Sequence, residues 1–335
     1  MTKKATIVDI AAALGITPST VSRALSGNAR VKDSTRAAVT AKAAELGYER
    51  NEVASGFRRG ITKTVGIIVP LINREFFGDI ISTAESVFEK AGYTVLICQT
   101  RESREEELKA LATLRASRVA GIMISHASGT ASGEAIAETL QGGRIKLVQF
   151  DRVFEGLPGS IVENDDFEGA RSAVRHLLSR GYRRIGAFLG YESCLAFVNR
   201  HRGYSAALAE AGIEEDPSIV FPDTIVRDKG YMNAGKAIDA GCDAIWSSGA
   251  FSALGAMECA RDRGIRIPED FGITGTANES FTSLISPSLT SIDQHSKEMG
   301  RQAAAAMLRL LEGGGAERIT VPTELLVRQS TSGKL

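Results

Sequence analysis

Residues 5–48 read ATIVDIAAALGITPSTVSRALSGNARVKDSTRAAVTAKAAELGY. Ile7, Ile10, Ala11 and Leu14 recur at i, i+3, i+4, i+7, the apolar face of one helix, and Gly15 ends it. Thr17-Pro18 is the next start signal, with Thr as N-cap and Pro at the first helical position. Val21, Ala24 and Leu25 form the inner face of this second helix. A third helix is predicted from about Asp33 to Leu46, with Val39, Ala43 and Leu46 inward and Gly47 as the stop. Two helices joined by a short turn, with a third in support, outline a helix-turn-helix domain. On the second helix Ser19, Ser22, Arg23 and Ser26 share the face opposite Val21 and Leu25. A short polar face with one arginine suits a DNA major groove: Arg can hold O6 and N7 of guanine with two hydrogen bonds, and Ser can reach bases or phosphates. The alternative is an ordinary solvated face.

Charge supports the first reading. The chain has 335 residues and a formal net charge of zero, yet residues 1–60 carry ten Lys/Arg against five Asp/Glu. A head of +5 on a body of −5 points to a polyanion partner for the head alone. Residues 49–62 (ERNEVASGFRRGIT) are polar and basic and read as a hinge. From 63 onward apolar strands alternate with helices. Ten strands are predicted: Thr64–Val69, Thr94–Gln99, Gly121–Ser125, Lys146–Phe150, Ser160–Val162, Arg184–Leu189, Ile219–Phe221, Asp243–Ser247, Gly272–Thr276 and Leu289–Ile292. That number over some 270 residues fits two doubly wound parallel-sheet subdomains, with ligand binding at the strands' carboxyl ends.

The head closely resembles that of the LacI/GalR family of bacterial transcription regulators, through TVSRAL, then V-x-x-x-TR, then ELGY at this spacing. The resemblance continues through VGIIVP, FDR, RGYRRIGAFLG, RHRGYSAAL, ALGAME, LTSID and TELLVRQST, and so spans the whole chain. It implies an all-α helix-turn-helix headpiece (1–48), a hinge (49–62) and a periplasmic-binding-protein-like α/β core (63–335). The core's N-subdomain is expected at about 63–162 and 293–318, its C-subdomain at about 163–292 and 319–335. It also implies a homodimer on a palindromic double-stranded operator, controlled allosterically by a small saccharide or sugar acid.

Carried over by the resemblance, Pro18, Ser19 and Arg23 read bases, Thr17, Ser22, Thr35 and Arg36 lie near phosphates, and Arg30 contacts the backbone or a base edge. In the hinge Asn51 and Ala54 match the family, whereas Arg50 replaces its usual proline and Phe57 its minor-groove leucine. Phe is an accepted wedge between base steps; the alternative is an anchor on the core. For the effector, Arg200 and Asp151 are the expected grips, with Phe76 and Phe77 as stacking surfaces and Trp246 and Asn278 as further lining. The alternatives are a surface position for Arg200, an ion pair with Arg152 for Asp151, and plain core packing for the phenylalanines. Two departures stand out: Gly249-Ala250 where the family often has Asn-Asp, and Ala277 where it often has Asp. Asn278 and Glu279 are the expected substitutes.

Other chemistry is thin. The acidic run Glu163, Asp165, Asp166, Glu168 at a helix start is expected to complement the helix dipole rather than hold a metal. The four cysteines have no CxxC pair and read as reduced thiols. No catalytic motif, metal site or cofactor is expected. The longest apolar runs are strand-length, so no membrane span is expected, and the N-terminus lacks the apolar core of a secretory signal, so the chain is expected in the cytoplasm. It ends without a leucine-heptad repeat, hence the expectation of a dimer rather than a tetramer. The rival reading is a periplasmic-type sugar-binding protein with no DNA role, against which the basic head speaks; a sugar-processing enzyme on the same fold is the other.

Overall fold

The computed structural model describes residues 5–25, 30–48, 62–130, 133–140 and 145–332. The chain forms two compact units, residues 1–62 and 63–335.

In the first unit α1 spans Ile7–Leu14, α2 Pro18–Leu25 and α3 Asp33–Glu45. Thr6 and Asp9 form a reciprocal capping box at the start of α1, and Gly15 closes the helix at a φ of 61° that suits a residue without a Cβ. Ile10, Ala11, Val21, Ala24, Val39 and Ala43 make the core, two from each helix. Leu46 was expected to join them but is 38% exposed. It lies beyond the last helical residue, where Gly47 turns the chain and brings Tyr48 back onto the core instead.

The second unit holds two six-stranded sheets. The first has the order β11-β5-β4-β3-β1-β2, comprising β1 (Thr64–Val69), β2 (Thr94–Gln99), β3 (Gly121–Ile124), β4 (Lys146–Phe150), β5 (Ser160–Asn164) and β11 (Arg318–Val321). The second has the order β12-β10-β9-β8-β6-β7, comprising β6 (Ile185–Phe188), β7 (Val220–Phe221), β8 (Ala244–Ser247), β9 (Gly272–Thr276), β10 (Thr290–Asp293) and β12 (Glu324–Leu326). All pairings are parallel except β10 with β12. Helices cover both faces. The first sheet lies between α4 (Glu75–Lys90) with α11 (Ser296–Leu311) and α5 (Arg104–Ala116) with α6 (Glu134–Thr139). The second lies between α7 (Asp166–Ser179) with α8 (Leu195–Glu210) and α9 (Arg227–Asp239) with α10 (Ala250–Asp262). Near-continuous apolar strands such as Val65–Val69 are what a two-sided cover requires.

Strands β11 and β12 were not anticipated. Both are short and half-exposed, so neither shows the apolar run that marked the others. Strand β12 breaks the all-parallel expectation: the chain passes from β11 of the first sheet through Pro322 and Thr323 straight into the second, where β12 lies antiparallel to β10. Because β5 runs to Asn164 and β11 pairs with it in the first sheet, the sheet boundaries fall a few residues later than the expected 162 and 318.

Helices α9 and α10 meet through glycines. A Cβ on Gly255 would overlap the Arg227 carbonyl oxygen and lie 2.7 Å from the Tyr231 amide nitrogen. Gly255→Ala should therefore push the pair apart and lower stability by about 1–3 kcal/mol, as overpacking does. A thermal melt checks this; an unchanged melting temperature would show that the interface yields.

Candidate functional site

In the head, the Thr17 backbone carbonyl accepts the amides of Thr20 and Val21 at 2.9 and 3.1 Å, and its hydroxyl faces the Thr20 amide at 3.3 Å. Thr17, Pro18, Ser19 and Arg23 are exposed and Ser22 is half-buried, while Val21 and Ala24 face the core. The polar face is thus presented outward as a unit. Thr35 is half-buried; Arg36 reaches back to the Val31 carbonyl and to Asp33 at 3.4 and 3.5 Å, which steadies the turn before α3. Arg30 is exposed just before that turn. Ser26, Asn51, Ala54 and Phe57 lie outside the described residues, as does the expected hinge up to residue 61.

In the core, a cavity of about 160 Å³, partly open to solvent, lies between the two sheets. Its walls come from the strands' carboxyl ends and the helix starts that follow them, where exposed backbone ends and helix dipoles favour ligands. Asp151 follows β4 with a left-handed φ of 59° and accepts a hydrogen bond from Ser125 Oγ at 3.1 Å. Burial pushes its carboxyl up, with Arg152 and Arg200 opposing. The alternative for Asp151, an ion pair with Arg152, is a long 3.8 Å contact. Arg152 instead donates twice to Glu102, at 2.7 and 3.0 Å.

Arg200, one turn into α8, is buried rather than on the surface. Its Nε donates to Asp166 at 2.7 Å and its Nη1 to the Ser248 carbonyl at 3.0 Å. Burial pushes the Asp166 carboxyl up to about 6, with Arg200 holding it down and Asp151 adding to the rise. The acidic run at this helix start therefore divides. Asp165 caps α7 through the Glu168 amide, Asp166 turns inward to Arg200, and Glu163 pairs with Arg318. No group of three metal-ligating side chains occurs among the described residues.

Phe76 and Phe77, edge to face at 5.2 Å, both line the cavity. Two expected lining residues do not. Trp246 is fully buried, stacked on Tyr204 at 5.6 Å in the layer under α7 and α8, short of the carboxyl end of β8 where the cavity opens. Asn278 faces a much smaller space of about 20 Å³ beside the cleft, and it donates to Asp293 at 3.0 Å and accepts from Arg328 at 2.6 Å. Glu279, by contrast, does reach the main cavity.

The sequence reading missed Glu102, Tyr191, Phe197, Ser248 and Gln294, all of them lining the cavity. Phe197 lies under both guanidiniums, 5.5 Å from that of Arg152 and 5.0 Å from that of Arg200. It stands one helical turn before Arg200, and that spacing was the available signal. Glu102 gave none. The two halves also touch across the cleft. Glu75 Oε2 accepts the Ser280 amide at 2.7 Å, Glu279 Oε2 accepts the Glu75 amide at 3.3 Å, and Ser193 Oγ donates to the Ser128 carbonyl at 2.8 Å. No helix among the described residues is long and apolar enough to cross a membrane.

The family model for bacterial regulatory proteins of the lacI family matches residues 6–51, and that for a periplasmic binding protein-like domain matches residues 174–331. The chain is 31% identical to the HTH-type transcriptional regulator DegA of Bacillus subtilis over 98% of each chain. It is 28% identical to the HTH-type transcriptional repressor PurR of Pasteurella multocida, over 99% of this chain and 100% of that one. Among solved structures, a complex of the transcriptional regulator CelR with cellobiose superposes with a TM-score of 0.74 at 27% identity, covering 97% of this chain and 99% of that one.

The buried Asp166–Arg200 pair sets a pH dependence. A folded Asp166 holds its proton up to about pH 6, against 3.8 ordinarily. Its ionised form therefore opposes folding above pH 6, and that penalty is relieved as pH falls from 6 toward 4. The wild type should gain stability relative to Asp166→Asn as pH is lowered from 7 to 4.5. Paired melts across that range check it, and a constant difference would mean that Asp166 stays charged throughout.

Proposed function

The chain belongs to the lacI family of bacterial regulatory proteins, and on that premise we propose that it is an operator-binding repressor released by a small effector held between the halves of its core. It is a helix-turn-helix transcription regulator rather than an enzyme. One observation carries the finer reading: Asp151 from the first half and Arg200 from the second are both buried at the same cavity. A buried carboxylate and a buried guanidinium together can grip a hydroxyl pair, one accepting and the other donating. CelR, similar over nearly the whole chain, is solved with cellobiose, which supports a saccharide or sugar-derived effector here.

The head's exposed face supports base reading by Pro18, Ser19 and Arg23, with Thr17, Ser22, Thr35 and Arg36 toward phosphates and Arg30 toward the backbone or a base edge. Phe57 is proposed as the minor-groove wedge and Asn51 and Ala54 as its neighbours in the hinge. The partner is a palindromic double-stranded operator in the cytoplasm, bound by a homodimer. Strand β2 supports that assembly: it is an edge strand of the first sheet, with Leu96 and Ile97 40% and 51% exposed. An exposed apolar edge strand needs a cover, and a second copy supplies one.

Ligand contacting both halves favours the arrangement it fits best by its differential affinity, which alters the spacing of the two heads. Arg23→Ala should weaken operator binding by about 1–3 kcal/mol and relax base preference at one position of each half-site. Gel shifts against a randomised operator measure this; full retained discrimination would remove α2 as the reading helix. Arg200→Ala should leave effector-free operator binding near normal and abolish the effector response. A response at the wild-type effector concentration would move the effector site out of this cleft.

A further inference from the structure

Ser128 lies at the rim of the cleft, in the turn after β3. Its carbonyl accepts the Ser193 hydroxyl of the second half at 2.8 Å, and its amide donates to Glu102 Oε2 at 2.9 Å. Arg152 Nη1 donates to that same oxygen at 2.7 Å and to Glu102 Oε1 at 3.0 Å. One carboxylate therefore holds both an arginine of the cavity wall and the residue that reaches across to the other half. The second half receives the two at one place. Ser193 stands two residues before α8, and Phe197, in the first turn of that helix, lies under the Arg152 guanidinium at 5.5 Å.

The backbone goes to some cost to put Glu102 there. Arg101 and Glu102 leave β2 with φ of 50° and 62°, two successive left-handed residues of which neither is glycine. Such a conformation persists where the surroundings over-determine it, and it gathers at sites that hold a side chain for a purpose. The turn after β3 packs closely on this one: a Cβ on Gly129 would lie 3.3 Å from the Glu102 carbonyl oxygen. A second carboxylate also holds that turn. Glu107 of α5, fully buried, accepts the Ala127 amide at 2.6 Å and the Thr130 hydroxyl at 3.1 Å. Glu107 anchors the inner end of the turn away from the cavity. Glu102, on the cavity wall, anchors the end that touches the other half. Ionised acceptors make strong, directional hydrogen bonds, which suits both to fixing a short segment in place.

We propose that Glu102 is a positioning residue for closure of the cleft: through one carboxylate it holds Ser128 to Ser193 and Arg152 to Phe197, so that the first half meets the start of α8 as a single preset surface. Its importance to the effector response rests on the cleft being the effector site. Without Glu102 the Ser128 amide loses its acceptor, and Arg152 keeps only the 3.8 Å approach to Asp151. Both contacts with α8 and its approach then loosen together. A ligand that draws the Arg152 donors away from Glu102 disturbs the Ser128–Ser193 contact in the same way, although it touches neither serine.

The experiment is backbone hydrogen exchange of the full-length protein, read by mass spectrometry without ligand or operator. Glu102→Ala should speed exchange by about ten-fold or more in residues 126–130 and also in residues 191–199 of the second half, while residues 204–210 at the far end of α8 keep wild-type rates. Glu102→Gln retains a carbonyl oxygen for the Ser128 amide and should bring residues 191–199 back to within a few-fold of wild type. Glu102→Ala combined with Arg152→Met leaves no unpaired guanidinium, and residues 191–199 should still exchange fast. Wild-type rates at residues 191–199 in Glu102→Ala would overturn the proposal, since Glu102 would then act within the first half alone. Recovery of those rates in the double variant would also overturn it and leave Glu102 as a counterion for Arg152. If Glu102→Ala does not fold, the double variant and Glu102→Gln decide by the same rates, and a uniform rise through both halves in Glu102→Gln counts against the proposal. None of these outcomes bears on the effector reading, which fails instead if Arg200→Ala keeps the wild-type effector response.

Discussion

The core depends on a knot at the three points where the chain passes between its halves. Asn164, at the first crossing, donates to the Gln294 carbonyl of the second at 2.9 Å and to the Val321 carbonyl of the third at 3.2 Å. The Gln294 side chain returns the contact, donating to Asn164 Oδ1 at 3.1 Å. All three crossings are thus fastened by one buried amide, only 5% exposed. Three separate strands of chain could shear past each other; three tied together leave rotation about the tie as the easy motion. An amide can hold them because it offers donors and an acceptor in one plane, and no charged residue would do so without desolvation.

The same economy governs the cleft. It contains several buried ionic groups, yet most are matched within the protein: Arg152 with Glu102, Arg200 with Asp166. A buried charge without a partner is far more destabilising than a pair, so these carboxylates are what allow guanidiniums to sit at the cavity at all. Each pair also fixes the direction of its arginine's remaining donors. Gln294 joins this arrangement to the knot, because it lines the cavity and its side chain is bonded to Asn164. A group bound in the cleft is therefore one side chain away from the point about which the halves turn.

Much of the architecture was legible because burial forces a pattern on sequence. Strands covered on both faces must be apolar throughout, and Val65–Val69 and Ala244–Ser247 announce themselves so. Strands β11 and β12 are half-exposed and short, and nothing in RITV or ELL separates them from loop. The site was legible in part for a related reason. Arg200 and Asp151 stand in motifs whose spacing the resemblance fixes, and both reached the cavity. Trp246 was misplaced because it stands inside β8, where helices cover both faces, whereas the cleft opens only past the strand's carboxyl end at Ser248, and an all-apolar strand does not mark that limit. Asn278 was misplaced because its partner Arg328 lies 50 residues away, beyond any local pattern.

The contacts that already bridge the cleft bear on how little a ligand must contribute. Glu75 with Ser280, Glu279 with the Glu75 amide, Ser193 with Ser128 and Arg74 on Phe251 all join one half to the other without any ligand. Hydrogen bonds of this kind contribute about 0.5–1.5 kcal/mol each, so the set holds the halves together only modestly. Allosteric coupling of about 1–3 kcal/mol is of the same size. A ligand touching Asp151 on one half and Arg200 on the other adds to that set directly, and one that also spans Phe76 and Phe251 adds apolar burial on both sides of the same gap. Two halves held by a few weak contacts around one tight tie can be tipped by such a ligand, whereas a large sealed interface could not.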